Sequence, residues 1–129
     1  MNPIPDCWRS LTQSAHERIR QGELPGAIHD YARALDFARQ HPGAWFDPCD
    51  ALAARVLSAL NLAEAQLGSS QPYAACTLGE THAHLLKLSA DRHCPCQLRD
   101  AAFHHLRETL AALTRIQRAY LSFSARPGY

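Results

Sequence analysis

Apolar side chains recur every three or four positions through five stretches of the chain, and each stretch is closed by residues that a helix does not readily pass. The first runs from about Asp6 to Gln21, with Trp8, Leu11, Ala15 and Ile19 on one face, Asp6 as N-cap and Gly22 as the stop. Pro25 opens the second, because its missing N–H costs nothing in a first helical turn. Ala27, Ile28, Tyr31, Ala34, Leu35 and Ala38 form its stripe as far as His41-Pro42-Gly43. After the connector Ala44-Trp45-Phe46, Asp47-Pro48 reads as an N-cap followed by a proline at the first helical position. The third helix then carries Leu52, Val56, Leu60, Ala63 and Leu67 and closes at Gly68-Ser69-Ser70.

The fourth stretch, from about Gln71 to Ser89, places Ala75, Leu78, His82, Leu85 and Leu86 along its stripe. Its interior Gly79 costs about 1 kcal/mol of helix propensity relative to alanine, so a close helix contact is expected there. His93-Cys94-Pro95-Cys96 breaks the pattern, and a last helix to about Ser122 uses Leu98, Ala102, His105, Leu106, Leu110, Leu113, Ile116 and Tyr120. No segment alternates with period two in β-branched residues, so no sheet is expected. At 129 residues the chain has the length of one domain. The expectation is an all-α fold of about five helices: a hairpin over 6–41, a hairpin over 48–89 and a capping helix over 95–122. Short connectors favour antiparallel neighbours.

The first hairpin carries a recognisable internal pattern. Gly22-Glu23-Leu24-Pro25-Gly26-Ala27, then Tyr31 and Ala34, with Ala15 twelve positions before Ala27, resembles the tetratricopeptide signature of small and aromatic residues that lets two helices pack closely. Ala63 and Ala75 repeat the spacing of twelve across the turn Gly68 to Pro72. Gly79 and His82 stand where the first hairpin has Tyr31 and Ala34, and the two units are offset by 48 residues where the consensus period is about 34. Asn61-Leu62-Ala63-Glu64 and the run from Leu78 to Leu86 are also similar to short bacterial tetratricopeptide-like proteins of unassigned activity.

The resemblance implies a right-handed stack of helical hairpins whose open end is covered by the last helix, and a concave face that holds a partner peptide or helix. The lining expected from it is Arg9, Gln13, His16, Arg18 and Arg20 on the first helix, with Arg55, Asn61 and Gln66 on the third.

Composition narrows the alternatives. Thirteen basic residues, all Arg except Lys87, against twelve acidic ones leave a formal charge of +1, which gives no long-range attraction for nucleic acid or anionic membrane. Arg92, Arg99, Arg107, Arg115 and Arg118 form a loose basic stripe, but Asp100 and Glu108 lie beside it and no aromatic residue interleaves for base stacking. That stripe reads as a solvated face or a surface for an acidic protein. No secretory leader and no apolar run of membrane-spanning length are visible. Five cysteines in no regular framework fit reduced thiols and a cytoplasmic location.

Candidate chemistry centres on His93, Cys94 and Cys96, which with His82 supply the thiolates and imidazoles of a tetrahedral zinc site. The Cys-x-Cys spacing departs from the Cys-x₂₋₄-Cys of structural zinc knuckles, so a plain loop before a proline-initiated helix is the competing reading. His82, on an otherwise apolar face, reads alternatively as a neutral histidine bonded to a neighbouring helix. Nucleophile elbows and phosphate-binding glycine loops are absent. A non-catalytic, cofactor-free interaction module or small chaperone-like adaptor is therefore expected, with a zinc-binding or regulatory helical protein as the alternative. Homodimerisation is expected to draw on Trp45, Phe46, Phe123 and Tyr129.

Overall fold

The computed structural model describes residues 3–69 and 73–124, and among these the fold is all-helical. Five helices follow in order: α1 (Ile4–Arg20), α2 (Leu24–Gln40), α3 (Pro48–Gly68), α4 (Ala74–Ala90) and α5 (Cys96–Ser124), with one 3-10 turn at Pro42–Ala44. Each helix packs on the next in sequence, and α5 also reaches α3, the central element.

Local chemistry accounts for the boundaries. Gly22 adopts a φ of 76°, a left-handed conformation that glycine enters without penalty. There Gly22 N–H donates to the Ile19 carbonyl (3.1 Å) and Glu23 N–H to the Arg18 carbonyl (2.8 Å), the paired bonds of a Schellman motif. At the start of α3 the Asp47 carboxylate accepts from Cys49 N–H at 2.8 Å, as an N-cap should. Asp6 is not a cap: α1 begins two residues earlier, behind Pro3, and Asp6 sits in its first turn paired with Arg9 at 3.1 Å.

Side-chain rungs fix the antiparallel pairing. Between α1 and α2, Asp30 is buried and accepts from Ser14 Oγ (2.8 Å) and Arg18 Nε (3.0 Å), while Tyr31 Oη meets His16 Nδ1 at 2.6 Å. Thr77 Oγ1 donates to Gln66 Oε1 at 3.0 Å between α3 and α4, and His82 Nδ1 meets Thr109 Oγ1 at 2.6 Å between α4 and α5. Trp8 ties α1 to α3 by donating its indole N–H to Ser58 Oγ at 2.6 Å.

Alanine dominates the interior, which brings helix backbones close together. Ala15, Ala27, Ala59, Ala63 and Ala74 gather with Tyr31, Leu62, Leu78 and Ile116 in the larger cluster, and Leu52, Val56, Leu85 and Ala102 form a second. Three of the four alanines expected at helix contacts, Ala15, Ala27 and Ala63, are buried there; Ala75 is not. Helix α4 starts at Ala74 and packs mainly on α5, so Ala74 takes the interior position. Its neighbour, about 100° around the helix, points outward. The spacing of twelve is thus not repeated in the second hairpin.

Gly79 also departs from expectation. A Cβ built there meets nothing within 4 Å, so no close contact requires glycine. Gly79→Ala is expected to raise the unfolding free energy by about 0.5–1 kcal/mol, measurable as a higher urea midpoint at unchanged slope.

Candidate functional site

Three surface features result from this packing: a groove of mixed character among α1, α2 and α3, a largely apolar cavity bordered by Arg39, Arg55 and His84 where α2, α3, α4 and α5 converge, and an apolar stripe on α5. The groove is bounded by His16 and Ile19 of α1, Tyr31 of α2 and Asn61 and Glu64 of α3. Partial burial, reinforced by Glu64, raises the Tyr31 phenol above its ordinary range, so it stays protonated and can share its hydrogen with His16. Asn61 Nδ2 is buried without an acceptor among the described residues.

Of the lining expected from the sequence, Arg9, Gln13, His16 and Arg20 are exposed along one side of α1, as intervals of four, three and four residues require. Arg9 and Arg20 are occupied by local pairs with Asp6 (3.1 Å) and Glu17 (3.3 Å). Arg18 is taken up by Asp30 and Glu23, and Gln66 is buried against Thr77. His16 and Asn61 share the groove; Arg55 lies elsewhere, because six residues from Asn61 is about 120° around α3.

Arg55 instead borders two adjoining cavities. One holds Asp36 and Glu80, both bound by Arg39 at 2.8 Å. The other is lined by Arg39, Arg55 and His84 against Leu52, Leu88 and Leu98. Burial pulls the Arg55 guanidinium below its ordinary range, with Glu80 opposing that shift and Arg39 adding to it. The His84 imidazole is held below its usual range by burial first, then by Arg55 and Lys87, so it is neutral at pH 7. Sequence reading did not find this cluster, since its members come from three helices and share no spacing.

The structure does not bring His82, His93, Cys94 and Cys96 together as a ligand set. His82 is committed to Thr109, and it lies eight residues before the end of α4, roughly 12 Å along the axis from the following loop. That loop is a tight turn in which His93 N–H donates to Asp91 Oδ1 (2.9 Å) and Cys94 N–H to the Asp91 carbonyl (3.2 Å). No group of three or more His, Cys, Asp or Glu is arranged to hold a metal among the described residues. The Cys49 thiol is pushed up by burial and by Asp47, with Asp50 and Cys94 adding to it, which disfavours the thiolate a metal needs.

Helix α5 presents the third feature. Phe103, Leu110 and Leu121 are 62%, 58% and 62% exposed. They stand seven and eleven residues apart, close to two and three turns, and so form one stripe roughly 27 Å long. Periodicity alone places Leu110 on the apolar core face, but its side chain is exposed. The apolar arc of α5 is wider than α3 and α4 cover, and Leu121 borders a shallow pocket with Ala75 of α4.

Comparison with known proteins bears on what these features are for. The family model of DUF2753, described as a protein of unknown function, matches residues 6–120. The chain belongs to the DUF2753 family. The match spans all five helices but for the ends of α1 and α5, so the groove, the cavity and all but one residue of the stripe lie within the DUF2753 region. No curated protein and no solved structure matches the chain.

Of the aromatic residues expected to support a dimer, Trp45 is half-buried, its ring edge-on to Trp8 at 6.4 Å, whereas Phe46 is fully exposed. The side chains of Phe123 and Tyr129 lie outside the described residues. No described helix is long and apolar enough to cross a membrane.

Proposed function

We propose that this DUF2753 protein is a non-catalytic interaction module of tetratricopeptide-like build, acting in the cytoplasm as a scaffold or adaptor for a protein partner. The exposed stripe of Phe103, Leu110 and Leu121 on α5 carries the reading. Large apolar side chains exposed along one line of a helix, with Arg107, Thr114 and Gln117 between them, suit the face of a partner that is itself amphipathic, and a helix laid along α5 would cover them. Stacked hairpins ending in a long helix with an open flank support the same reading, since in such arrays the next unit or a partner completes the terminal interface. The groove of His16, Ile19 and Asn61 is a secondary contact surface in this proposal, and the five free thiols suit a reducing compartment.

The test is photo-crosslinking in native cells with a benzoylphenylalanine placed singly at Leu110 on the stripe, or at Arg33, exposed on α2, as the reference position. The expected result is a discrete crosslinked species from Leu110, either with another protein or with a second copy of the chain, that disappears when Phe103→Asp is added. Equal, diffuse labelling from both positions would remove the stripe from consideration as the contact surface.

A further inference from the structure

The cavity between α2, α3, α4 and α5 has a volume of about 300 Å³, the lower end of the range in which small ligands bind. Its lining is divided in kind. Leu52, Leu88 and Leu98 form an apolar wall, Arg39, Arg55 and His84 supply the polar side, and no carboxylate takes part. Asp36 and Glu80 lie in the neighbouring cavity, each held at 2.8 Å by Arg39. The donors of Arg39 are therefore engaged, and Arg55 lies beside the same two carboxylates without pairing with either.

Arg55 is the residue left over. It makes no ion pair or hydrogen bond with any described residue, and its Nε is buried without an acceptor. Arg55 is half-buried, and a guanidinium N–H taken out of water without an acceptor is costly. Beside it His84, kept neutral by its surroundings, retains one ring N–H to donate.

We propose that this cavity binds a small carboxylic acid anion with a hydrocarbon body, its carboxylate against Arg55 and His84 and its hydrocarbon against Leu52, Leu88 and Leu98. Arg55, the cavity guanidinium without an ion pair of its own, offers donors that a flat carboxylate matches in its planar fork. A polyanion such as inorganic phosphate fits worse, because its remaining charged oxygens would face leucine. The site is separate from the α5 stripe and stands whether or not that stripe binds a partner.

Octanoate, octanol and acetate, each titrated at pH 7 into the full-length protein, test this by calorimetry and by methyl NMR. Octanoate is expected to bind saturably and to shift the methyl signals of Leu52, Leu88 and Leu98, while octanol, lacking the charge, and acetate, lacking the hydrocarbon, do neither at the same concentration. Arg55→Gln is expected to weaken octanoate at least about tenfold, the worth of one hydrogen bond to a charged group. Arg115→Gln, on the exposed side of α5, should leave it unchanged. Octanol binding as tightly as octanoate, or affinity undiminished in Arg55→Gln, would overturn the assignment. So would wild-type protein in which octanoate leaves the three leucines unmoved, a result that does not depend on whether any variant folds.

Discussion

Leu85→Ala is expected to lower the free energy of unfolding by about 2–5 kcal/mol, the largest loss anticipated for a single truncation in this protein. Leu85 is completely buried and packs with Leu52 and Val56 of α3 and Ala102 of α5 in the smaller of the two core clusters. Its surroundings on α3, α4 and α5 are set by helix backbones that relax only partly into a vacated space, so both the transfer loss and the cavity loss should be felt. Chemical denaturation followed by circular dichroism measures it. Leu86→Ala is the internal reference: its side chain is half exposed, and a change within about 0.5 kcal/mol is expected. Equal losses at the two positions would mean that α4 does not present the face described here.

Ala27→Leu should come second, at about 1–3 kcal/mol or more, for the opposite reason. Ala27 has no exposed surface and sits with Ala15 and Ala63 where α1, α2 and α3 meet. Extra carbons there have nowhere to go without pushing helices apart. Ala75→Leu is the matched comparison, because the same change on the outward side of α4 adds volume in solvent and is expected to be close to neutral. Thermal melts of the pair would show whether the close approach belongs to Ala27 alone. A loss at Ala75 as large as at Ala27 would restore the twelve-residue spacing that the second hairpin lacks.

What could be read from the chain follows from how local each signal is. The Asp47-Pro48 start and the Gly22 stop are legible because capping and a left-handed glycine are settled within a few residues. Ala75, Gly79 and Leu110 were misplaced because periodicity says which residues share a side of a helix but not which side meets a neighbour. For α4 that is decided by its preference for α5 over α3, a tertiary fact. Helix α3 poses the same difficulty more severely. Residues such as Leu52, Val56, Ala59, Leu62 and Ala65 bury it on several sides, so Arg55 and Asn61 serve different surfaces and no single inner face could contain both.

The candidate sites were less legible still. His16 and Asn61 were within reach because the resemblance supplied the idea of a shared groove. The cluster of Arg39, Arg55 and His84 was not, because no rule of spacing links positions on three different helices. Conversely, His93, Cys94 and Cys96 lie close in sequence and look like ligands, yet the turn between α4 and α5 is already closed by Asp91.

The edge-on contact between Trp8 and Trp45 has an optical consequence. These are the only two tryptophans in the chain, and both belong to the junction of α1 with the segment leading into α3. Indole emission therefore reports the detachment of one end of the molecule and is blind to the α4–α5 pair. Any lag between the emission and far-ultraviolet ellipticity during denaturation would reveal that the two ends come apart in separate steps.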